Sequence, residues 1–304
     1  MTSGKHIDSE LPKSVMIFGC GYVGSALAAA LMDRGIVVGA LTRNATRAAE
    51  LSAAGVSEVM AAELSSTQWL GQIEGRYEAV VNCVSSAGGG LAGYRKSYVE
   101  GQKRILEWAR SQRLRQIIYT SSTSVYPQGG GALVDEDADT SAAPSTGQVL
   151  LDSERLIEAH AALFDAWYVF RLAGIYGPGR HFLLNQLTQA NGPVPGHGDY
   201  RMNMIHLDDI ISAILAGLSG RAPSGIYNIC DDLPETKERV LAYLATQLGL
   251  PKPDFDPTHI PPRLQRRGGR MPDRSILNRK AKKHLKWQPS YPSYREGYAS
   301  LLRR

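Results

Sequence analysis

The sequence has few cysteines and lacks the long apolar runs of a membrane protein. Cys20, Cys83 and Cys230 are widely separated and odd in number, so they match neither a disulfide framework nor a zinc-binding pattern, and we expect no metal site. No apolar run reaches the roughly 18–20 residues of a membrane span. The polar N-terminus has no apolar core of the kind that a secretory signal needs. These absences predict a cytoplasmic protein with no membrane partner.

Nucleic-acid-binding motifs are also missing, although the chain ends in a basic segment. The formal net charge is +5, and residues 263–304 carry thirteen lysines and arginines against only Asp273 and Glu296. A basic segment is compatible with nucleic acid, with an anionic small molecule or with a solvated surface. Without a DNA- or RNA-binding motif beside it, we do not expect a nucleic-acid partner. We favour a small-molecule substrate and keep an anionic one as a candidate.

Strand and helix patterns alternate regularly in the first half of the chain. Short apolar runs at 15–18 and 79–84 are typical of strands buried on both faces. The Ala- and Leu-rich segment 25–35, which ends at a glycine, is typical of a helix. This alternation predicts an α/β fold with a doubly wound parallel sheet. After residue 127 the pattern changes to a Gly-rich acidic loop and shorter elements, which we expect to form a smaller C-terminal cap.

A glycine pattern lies between the first predicted strand and the first predicted helix. Gly19, Gly21 and Gly24 fit G-x-G-x-x-G, in the strand-to-helix context that a dinucleotide site requires. The first glycine allows the tight turn, the second lets the backbone approach a pyrophosphate, and the third permits close packing of helix on strand. The backbone N–H groups of Tyr22 and Val23 would then point at the phosphates.

The position of this glycine pattern suggests how the chain divides into domains. We interpret residues 15–170 as an NAD(P)-binding Rossmann domain, preceded by a flexible extension at 1–14. Residues 171–304 are expected to be mainly a substrate-binding cap, with short returns to the Rossmann sheet. In that part, Asp208 or Asp209 is expected to cap a helix that begins near Ile210.

The end of the second predicted strand bears on the choice of dinucleotide. NAD sites usually place an acid there to bind the ribose hydroxyls, but this chain has Thr42 and Arg43 and no acid. A guanidinium can hold a 2′-phosphate through two hydrogen bonds. The sequence therefore favours NADP over NAD, with the alternative that Arg43 is an ordinary surface charge.

Six short motifs occur in an order that resembles the extended short-chain dehydrogenase/reductase superfamily, in its NAD-dependent epimerase/dehydratase group. They lie at 19–24, 62–64, 119–127, 171–180, 203–209 and 291–297. The resemblance implies additional cofactor contacts from Glu63, Leu64, Cys83, Val84, Ser85, Leu172 and Ala173. It also implies that Ser122 is the active-site hydroxyl, with Tyr126, Arg180, His181 and Arg201 as substrate-binding candidates. Members of this group often pair, so a homodimer is a further expectation.

One family feature is absent. The resemblance implies a catalytic tyrosine and, four residues later, a lysine that lowers the pKa of the tyrosine. Aligned on Glu154, those positions hold Thr146 and Leu150, and no Y-x-x-x-K occurs between residues 127 and 167. The chain thus resembles the atypical, YeeZ-like clade, with Ser122 and Thr146 as the remaining catalytic candidates.

Three hypotheses follow from that departure. The protein is an atypical NAD(P)-dependent oxidoreductase or epimerase/dehydratase-like enzyme acting on a small molecule such as a nucleotide sugar or a carbonyl compound. Its proton would then come from another group, for which Tyr126, Tyr176 and His181 are candidates. Alternatively it is a non-catalytic NADP(H)-binding sensor or regulatory scaffold, or its motifs are relics that bind nothing well.

Overall fold

The computed structural model describes residues 11–86, 88–188, 192–260 and 271–303. Most of the extension predicted at 1–14 therefore lies outside the described residues. In the described part of that extension, Leu11 is buried and the first strand begins at Ser14.

A seven-stranded parallel sheet forms the centre of the molecule. In sheet order its strands are β12 (Gly225–Ile229), β7 (Ala166–Leu172), β5 (Gln116–Ser122), β4 (Ala79–Asn82), β1 (Ser14–Phe18), β2 (Val37–Thr42) and β3 (Glu58–Ala61). The chain builds outward from β1 in one direction and from β4 in the other, so the strand order reverses between these two neighbours. This confirms the predicted doubly wound sheet, and such a reversal is where open α/β sheets bind their ligands.

Helices surround this sheet. They are α1 (Tyr22–Met32), α2 (Ala45–Ala53), α3 (Gly90–Arg95), α4 (Gly101–Ala109), α5 (Ser145–Ala159), α6 (Phe182–Thr188), α7 (Leu207–Leu218), α8 (Lys237–Gln247), α9 (Arg279–His284) and α10 (Tyr294–Leu302). A π-helical segment, Lys96–Glu100, joins α3 to α4. None of the helices that the structure describes is long and apolar enough to cross a membrane.

The two faces of β1 explain why its sequence is continuously apolar. Successive side chains of a strand point to opposite faces. Val15 and Ile17 lie in an apolar cluster with residues of α1 and α7, whereas Met16 and Phe18 lie in a second cluster with residues of α4. All four side chains are fully buried, so neither face of the strand has room for a polar alternation.

The C-terminal part adds the smaller cap and also returns to the sheet through β12. Three pairs of short strands lie within this part of the chain: β8 (Gly174–Tyr176) with β11 (Met204–His206), β9 (Val194–Pro195) with β14 (Phe255–Asp256), and β10 (Arg201–Met202) with β13 (Glu235–Thr236). A fourth strand, β15 (Arg274–Ile276), pairs with β6 (Ala132–Val134), which lies in the loop region after β5. The boundary that we placed at residue 170 falls inside β7, which runs to Leu172. The division into two domains remains a prediction.

Two local predictions are wrong. The Gly-rich acidic stretch contains β6, because residues 132–134 pair with a strand more than a hundred residues away. The helix expected near Ile210 begins at Leu207, and its N-cap is His206, whose Nδ1 accepts a hydrogen bond from the N–H of Asp208 at 3.2 Å. Since the helix starts earlier, Asp208 and Asp209 lie inside its first turn.

Candidate functional site

The glycine loop is held in place by very close backbone contacts. Gly19 has φ of +91°, and a Cβ there would lie 2.6 Å from the backbone nitrogen of Val84. A Cβ on Gly24 would lie 2.3 Å from the carbonyl oxygen of Gly19. In contrast, nothing lies within 4 Å of a Cβ on Gly21, the residue before α1. The loop therefore packs tightly on the protein side and is open at the start of the helix, as a pyrophosphate cradle requires.

A groove of about 280 Å³ runs along the carboxyl ends of β1, β2 and β4. Most of the predicted cofactor residues line it: Gly19, Gly21, Thr42, Arg43, Glu63, Leu64, Cys83, Val84 and Ser85. Tyr22, Val23 and Gly24 continue from its edge into α1. Leu172 is buried and does not line the groove, and Ala173 lines a second cavity described below. The residues present fit a dinucleotide, whose contacts remain predictions.

The end of the groove beside α2 is polar and basic. Asn44 caps α2 by accepting a hydrogen bond from the N–H of Arg47 at 3.0 Å. Arg47 also lines the groove and pairs with Glu50 at 2.7 Å. The exposed Arg43 makes no ion pair with any residue that the structure describes. Sequence reasoning missed Arg47, although an arginine one turn into the helix after the second strand was a usable signal.

Cys83 lines the same groove as a neutral side chain. It follows β4 directly, where the chain passes beneath Gly19. Burial raises the pKa of its thiol well above the ordinary value. The thiol is therefore not a nucleophile near neutral pH, which agrees with a packing role against a bound molecule.

Ser122 ends β5 at the same edge of the sheet. Its Oγ accepts a hydrogen bond from the N–H of Ser124 at 3.1 Å and thereby caps a short 3₁₀ turn, Thr123–Val125. Its hydroxyl makes no donated bond to any described residue. The oxygen is therefore fixed in position while the O–H proton can be donated to a ligand.

A second cavity, of about 720 Å³, opens beside Ser122. It lies between the strand ends and the cap. Its lining includes Ser122, Ser124, Ala173, Arg180, Phe182, Leu183, Tyr200, Arg201, Met202, Asn203, Met204, Met271, Arg274 and Tyr298. Tyr200, the methionines and Tyr298 were missed from the sequence, because the cap brings them together from distant segments with no local motif.

The positions that the sequence predicts for the family tyrosine and lysine are Thr146 and Leu150, whose side chains are neither phenolic nor charged. Thr146 lies half-buried in the first turn of α5, and Leu150 is 2% exposed within the apolar cluster that also holds Leu172 and Ala173. Neither residue lines the two cavities described above. The start of α5 does pack tightly on the turn after Ser122, since a Cβ on Gly147 would lie 3.1 Å from the carbonyl oxygen of Ser124.

The structure places the three alternative proton donors, Tyr126, Tyr176 and His181, in different surroundings. Tyr126 is buried, and its hydroxyl donates to Oδ1 of Asn228 at 2.7 Å. Burial raises the pKa of Tyr126 to about 12 and raises that of Tyr176 further. Tyr126 and His181 do not line the cavity beside Ser122, and Nε2 of His181 accepts a bond from the N–H of Gly179 at 3.1 Å. Tyr176 lines the cavity, but its high pKa opposes proton exchange near neutral pH.

Of the predicted substrate residues, Arg180 and Arg201 both line the cavity but differ in their partners. Nη1 of Arg201 donates to the two carboxylate oxygens of Asp273 at 3.0 and 2.9 Å. The exposed guanidinium of Arg180 lies over the ring of Tyr22, 5.4 Å from its centroid. Tyr22 in turn donates to the carbonyl oxygen of Pro178 at 2.9 Å. These contacts join the glycine loop to the loop that carries Arg180.

A buried ion pair supports the floor of the site. Nε and Nη2 of Arg171 donate to the carboxylate of Glu154 at 3.1 and 2.7 Å, and the hydroxyl of Ser121 donates to the same carboxylate at 2.6 Å. Both charged side chains are 4% exposed. The network ties β5, α5 and β7 together directly behind Ser122, which fixes the position of the strand end.

Comparison with known proteins agrees with this geometry. The sequence profile of the NAD dependent epimerase/dehydratase family matches residues 15–230. A 3-diazoavenalumate denitrifying reductase from a Streptomyces species is 28% identical, over 93% of this chain and 98% of that protein. Protein YeeZ of Escherichia coli K12 is also 28% identical, over 80% of this chain and 86% of its own length. A solved structure from Silicibacter pomeroyi, a conserved protein of unknown function, superposes with a TM-score of 0.78 at 26% identity, covering 96% and 98% of the two chains.

Proposed function

The chain belongs to the NAD-dependent epimerase/dehydratase family, and from that premise we propose that it is an NADP-preferring reductase of a small carbonyl compound. The observation that carries the proposal is the contrast between Ser122, whose hydroxyl proton is available at the cavity, and the buried, uncharged Leu150 at the position predicted for the family lysine. The reductase among the relatives is consistent with this direction of reaction.

The groove supports the cofactor part of the proposal. A bound dinucleotide would supply hydride from its nicotinamide. Gly21 and the first N–H groups of α1 would hold the pyrophosphate, because they lie on the open side of a loop that is tightly packed at Gly19 and Gly24. Arg43 and Arg47 support a preference for the 2′-phosphate, since both guanidinium groups lie at the end of the groove beside α2.

The missing lysine bears on the direction of the reaction. Oxidising an alcohol, the first step of most epimerisations of this type, requires a base that takes the hydroxyl proton. A threonine hydroxyl at 146 is a far weaker acid than a phenol, and Leu150 contributes no charge. Reducing a carbonyl requires hydride, which a bound dinucleotide would supply, and stabilisation of the developing alkoxide, which is basic enough to take its proton from water. A site with a hydrogen-bond donor and no side-chain base therefore matches reduction with water as the proton source.

In this proposal Ser122 donates its hydroxyl proton in a hydrogen bond to the carbonyl oxygen of the substrate. The N–H of Ser124 holds the serine oxygen in place, so the donor is oriented before the substrate binds. The buried pair of Glu154 and Arg171 keeps the end of β5 from shifting. Thr146 lines neither cavity, so in this proposal α5 acts by packing on the turn after Ser122, and Thr146 remains only a candidate from the sequence.

The test is NADPH consumption with a panel of carbonyl compounds and nucleotide sugars. We expect turnover with carbonyl compounds, and we expect Ser122→Ala to lower kcat about 100-fold or more while NADPH affinity is retained. Ser111→Ala, a surface serine that bonds the carbonyl oxygen of Trp108, is the matched control and should behave as wild type. Tight NADPH binding without turnover of any compound would instead support the non-catalytic sensor. A fully active Ser122→Ala variant would remove the serine from the mechanism.

Two further elements belong to the proposal. We place the protein in the cytoplasm, and we keep a homodimer as an expectation that sedimentation of the purified chain decides. Its partner at the second cavity is a small molecule.

A further inference from the structure

The walls of the cavity beside Ser122 are mainly apolar. Side chains from β10, β11, α6 and the C-terminal segment contribute them: Phe182, Leu183, Met202, Met204, Met271 and Tyr298. Methionine is unbranched and polarisable, so a wall rich in it adapts to flat or irregular apolar ligands. The volume of about 720 Å³ lies within the range of sites for small organic molecules.

Most polar groups of this lining are already used within the protein. Asn203 donates from Nδ2 to the carbonyl oxygen of Arg274 at 3.0 Å, and its Oδ1 accepts from the N–H of Ile276 at 2.7 Å. The guanidinium of Arg274 donates to the carbonyl oxygens of Thr123 and Tyr126 at 2.9 and 2.6 Å. Asn203 and Arg274 therefore offer few open partners to sugar hydroxyls, and burying hydroxyls without partners is costly.

Arg180 is different from the other arginines of the lining. Arg201 is neutralised by Asp273, and Arg274 is bonded to backbone carbonyl groups. The guanidinium of Arg180 makes neither an ion pair nor a hydrogen bond with any of the residues described, and it rests on the ring of Tyr22. One uncompensated cation at the edge of an apolar cavity matches one negative charge on a ligand.

We propose that this cavity binds an apolar monoanion, a mainly hydrophobic carbonyl compound with one carboxylate that pairs with Arg180. The inference rests on the proposed function for the carbonyl group, which would face Ser122. The carboxylate would displace only water from Arg180, and the hydrophobic body would cover the methionine-rich wall. A nucleotide sugar carries two phosphate charges and several hydroxyls, whereas the described part of this lining offers one exposed guanidinium without an ion-pair partner, that of Arg180.

Equilibrium binding tests the inference without requiring turnover. Calorimetry of the full chain saturated with NADP⁺ would compare 2-naphthoate, its neutral analogue 2-naphthalenemethanol, and UDP-glucose. We expect naphthoate to bind best, the alcohol about tenfold more weakly or worse, and UDP-glucose weakest. Tighter binding of UDP-glucose than of naphthoate, or equal binding of the acid and the alcohol, would overturn the proposal.

Two variants locate the contacts. Arg180→Gln should lower naphthoate affinity about tenfold and leave the alcohol unchanged, whereas Arg110→Gln, an exposed arginine at the end of α4, should change neither. Met202→Gln, on the half-exposed part of the wall, makes the wall polar without adding charge and should weaken the acid and the alcohol alike. If NADP⁺ itself does not bind, the proposed function fails. If NADP⁺ binds and Arg180→Gln retains full naphthoate affinity, only the present inference fails.

Discussion

At the scale of single residues, the groove carries two arginines at its end beside α2. Arg43 is exposed and unpaired among the described residues, whereas Arg47 pairs with Glu50 at 2.7 Å. An exposed pair in water contributes little to stability, so Arg47 can exchange Glu50 for a phosphate at small cost. Two guanidinium groups are thus within the groove where NAD-specific sites usually place an acid.

Replacing Arg43 with alanine is predicted to weaken NADPH binding about tenfold and to leave NADH binding within twofold of wild type, because only NADPH carries the 2′-phosphate. Fluorescence titration of both reduced dinucleotides measures the two affinities. Arg113→Ala, at an exposed position outside the groove, is the control for general loss of positive charge. Equal loss of both affinities, or no loss of either, would contradict a phosphate-binding role for Arg43.

Residues of the glycine loop could be predicted because their constraint is local. G-x-G-x-x-G specifies its own turn, and the contact of Gly24 with Gly19 joins residues only five apart. The partners of Arg201 and Tyr126 were not predictable in this way. Asp273 is 72 residues from Arg201 and Asn228 is 102 residues from Tyr126. No local sequence pattern predicts that these residues form hydrogen bonds.

At the scale of secondary structure elements, α7 is fastened to the C-terminal segment by one carboxylate. Asp209 is fully buried and accepts hydrogen bonds from the backbone N–H groups of Ser290 and Tyr291 at 2.6 and 3.1 Å. Burial outweighs these two bonds and raises the pKa of Asp209 from 3.8 to about 6, with the neighbouring Asp208 and Asp232 adding to the rise. The folded protein therefore holds this proton more tightly than the unfolded chain does.

Asp209 is thus predicted to make the protein more stable in mild acid. Its contribution to the free energy of unfolding is complete below the unfolded pKa near 3.8 and is lost as the pH rises through about 6. Urea unfolding measures the free energy of unfolding of both proteins at pH 7.5 and 5.0. Between these pH values, that of the wild type should rise by on the order of 1 kcal/mol relative to that of Asp209→Asn as the pH falls. The asparagine variant should be less stable overall, because it keeps one acceptor oxygen instead of two. An identical pH dependence in both proteins would contradict the assignment.

Some strands and helices can be predicted from sequence patterns, and others cannot. The inner strands of the main sheet are largely buried on both faces, and β1 therefore appears as the apolar run Val15–Phe18. The pairing of β6 with β15 cannot be predicted from sequence patterns, because each strand has only three residues and the two are more than a hundred residues apart in the chain. The start of α7 was placed too late because two aspartates are common caps, whereas here the imidazole of His206 takes that position.

At the scale of the whole molecule, the two cavities share one edge of the sheet and are joined by a side-chain contact. Tyr22 begins α1 at the cofactor groove, and its hydroxyl donates to the carbonyl oxygen of Pro178 at 2.9 Å. Its ring supports the guanidinium of Arg180. A Cβ on Gly177 would lie 2.8 Å from the tyrosine oxygen, so the loop at 177–180 can approach only because a glycine stands there. We therefore expect a change at the groove to alter the position of Arg180 at the edge of the cavity beside Ser122.

This connection predicts that the two ligands bind cooperatively and that Tyr22→Phe uncouples them. The variant keeps the ring beneath Arg180 but loses the bond to Pro178, so the loop at 177–180 would no longer depend on how the glycine loop is held. Calorimetry of the wild type should find that NADP⁺ strengthens 2-naphthoate binding and that naphthoate strengthens NADP⁺ binding by the same factor, as linkage requires. This coupling factor should fall towards one in Tyr22→Phe. Tyr243→Phe removes a comparable tyrosine bond, to the carbonyl oxygen of Arg295 at 3.3 Å within the cap, and should leave the factor unchanged. Because each affinity is measured with and without the other ligand, a coupling factor that survives Tyr22→Phe would show that the two cavities communicate by another path.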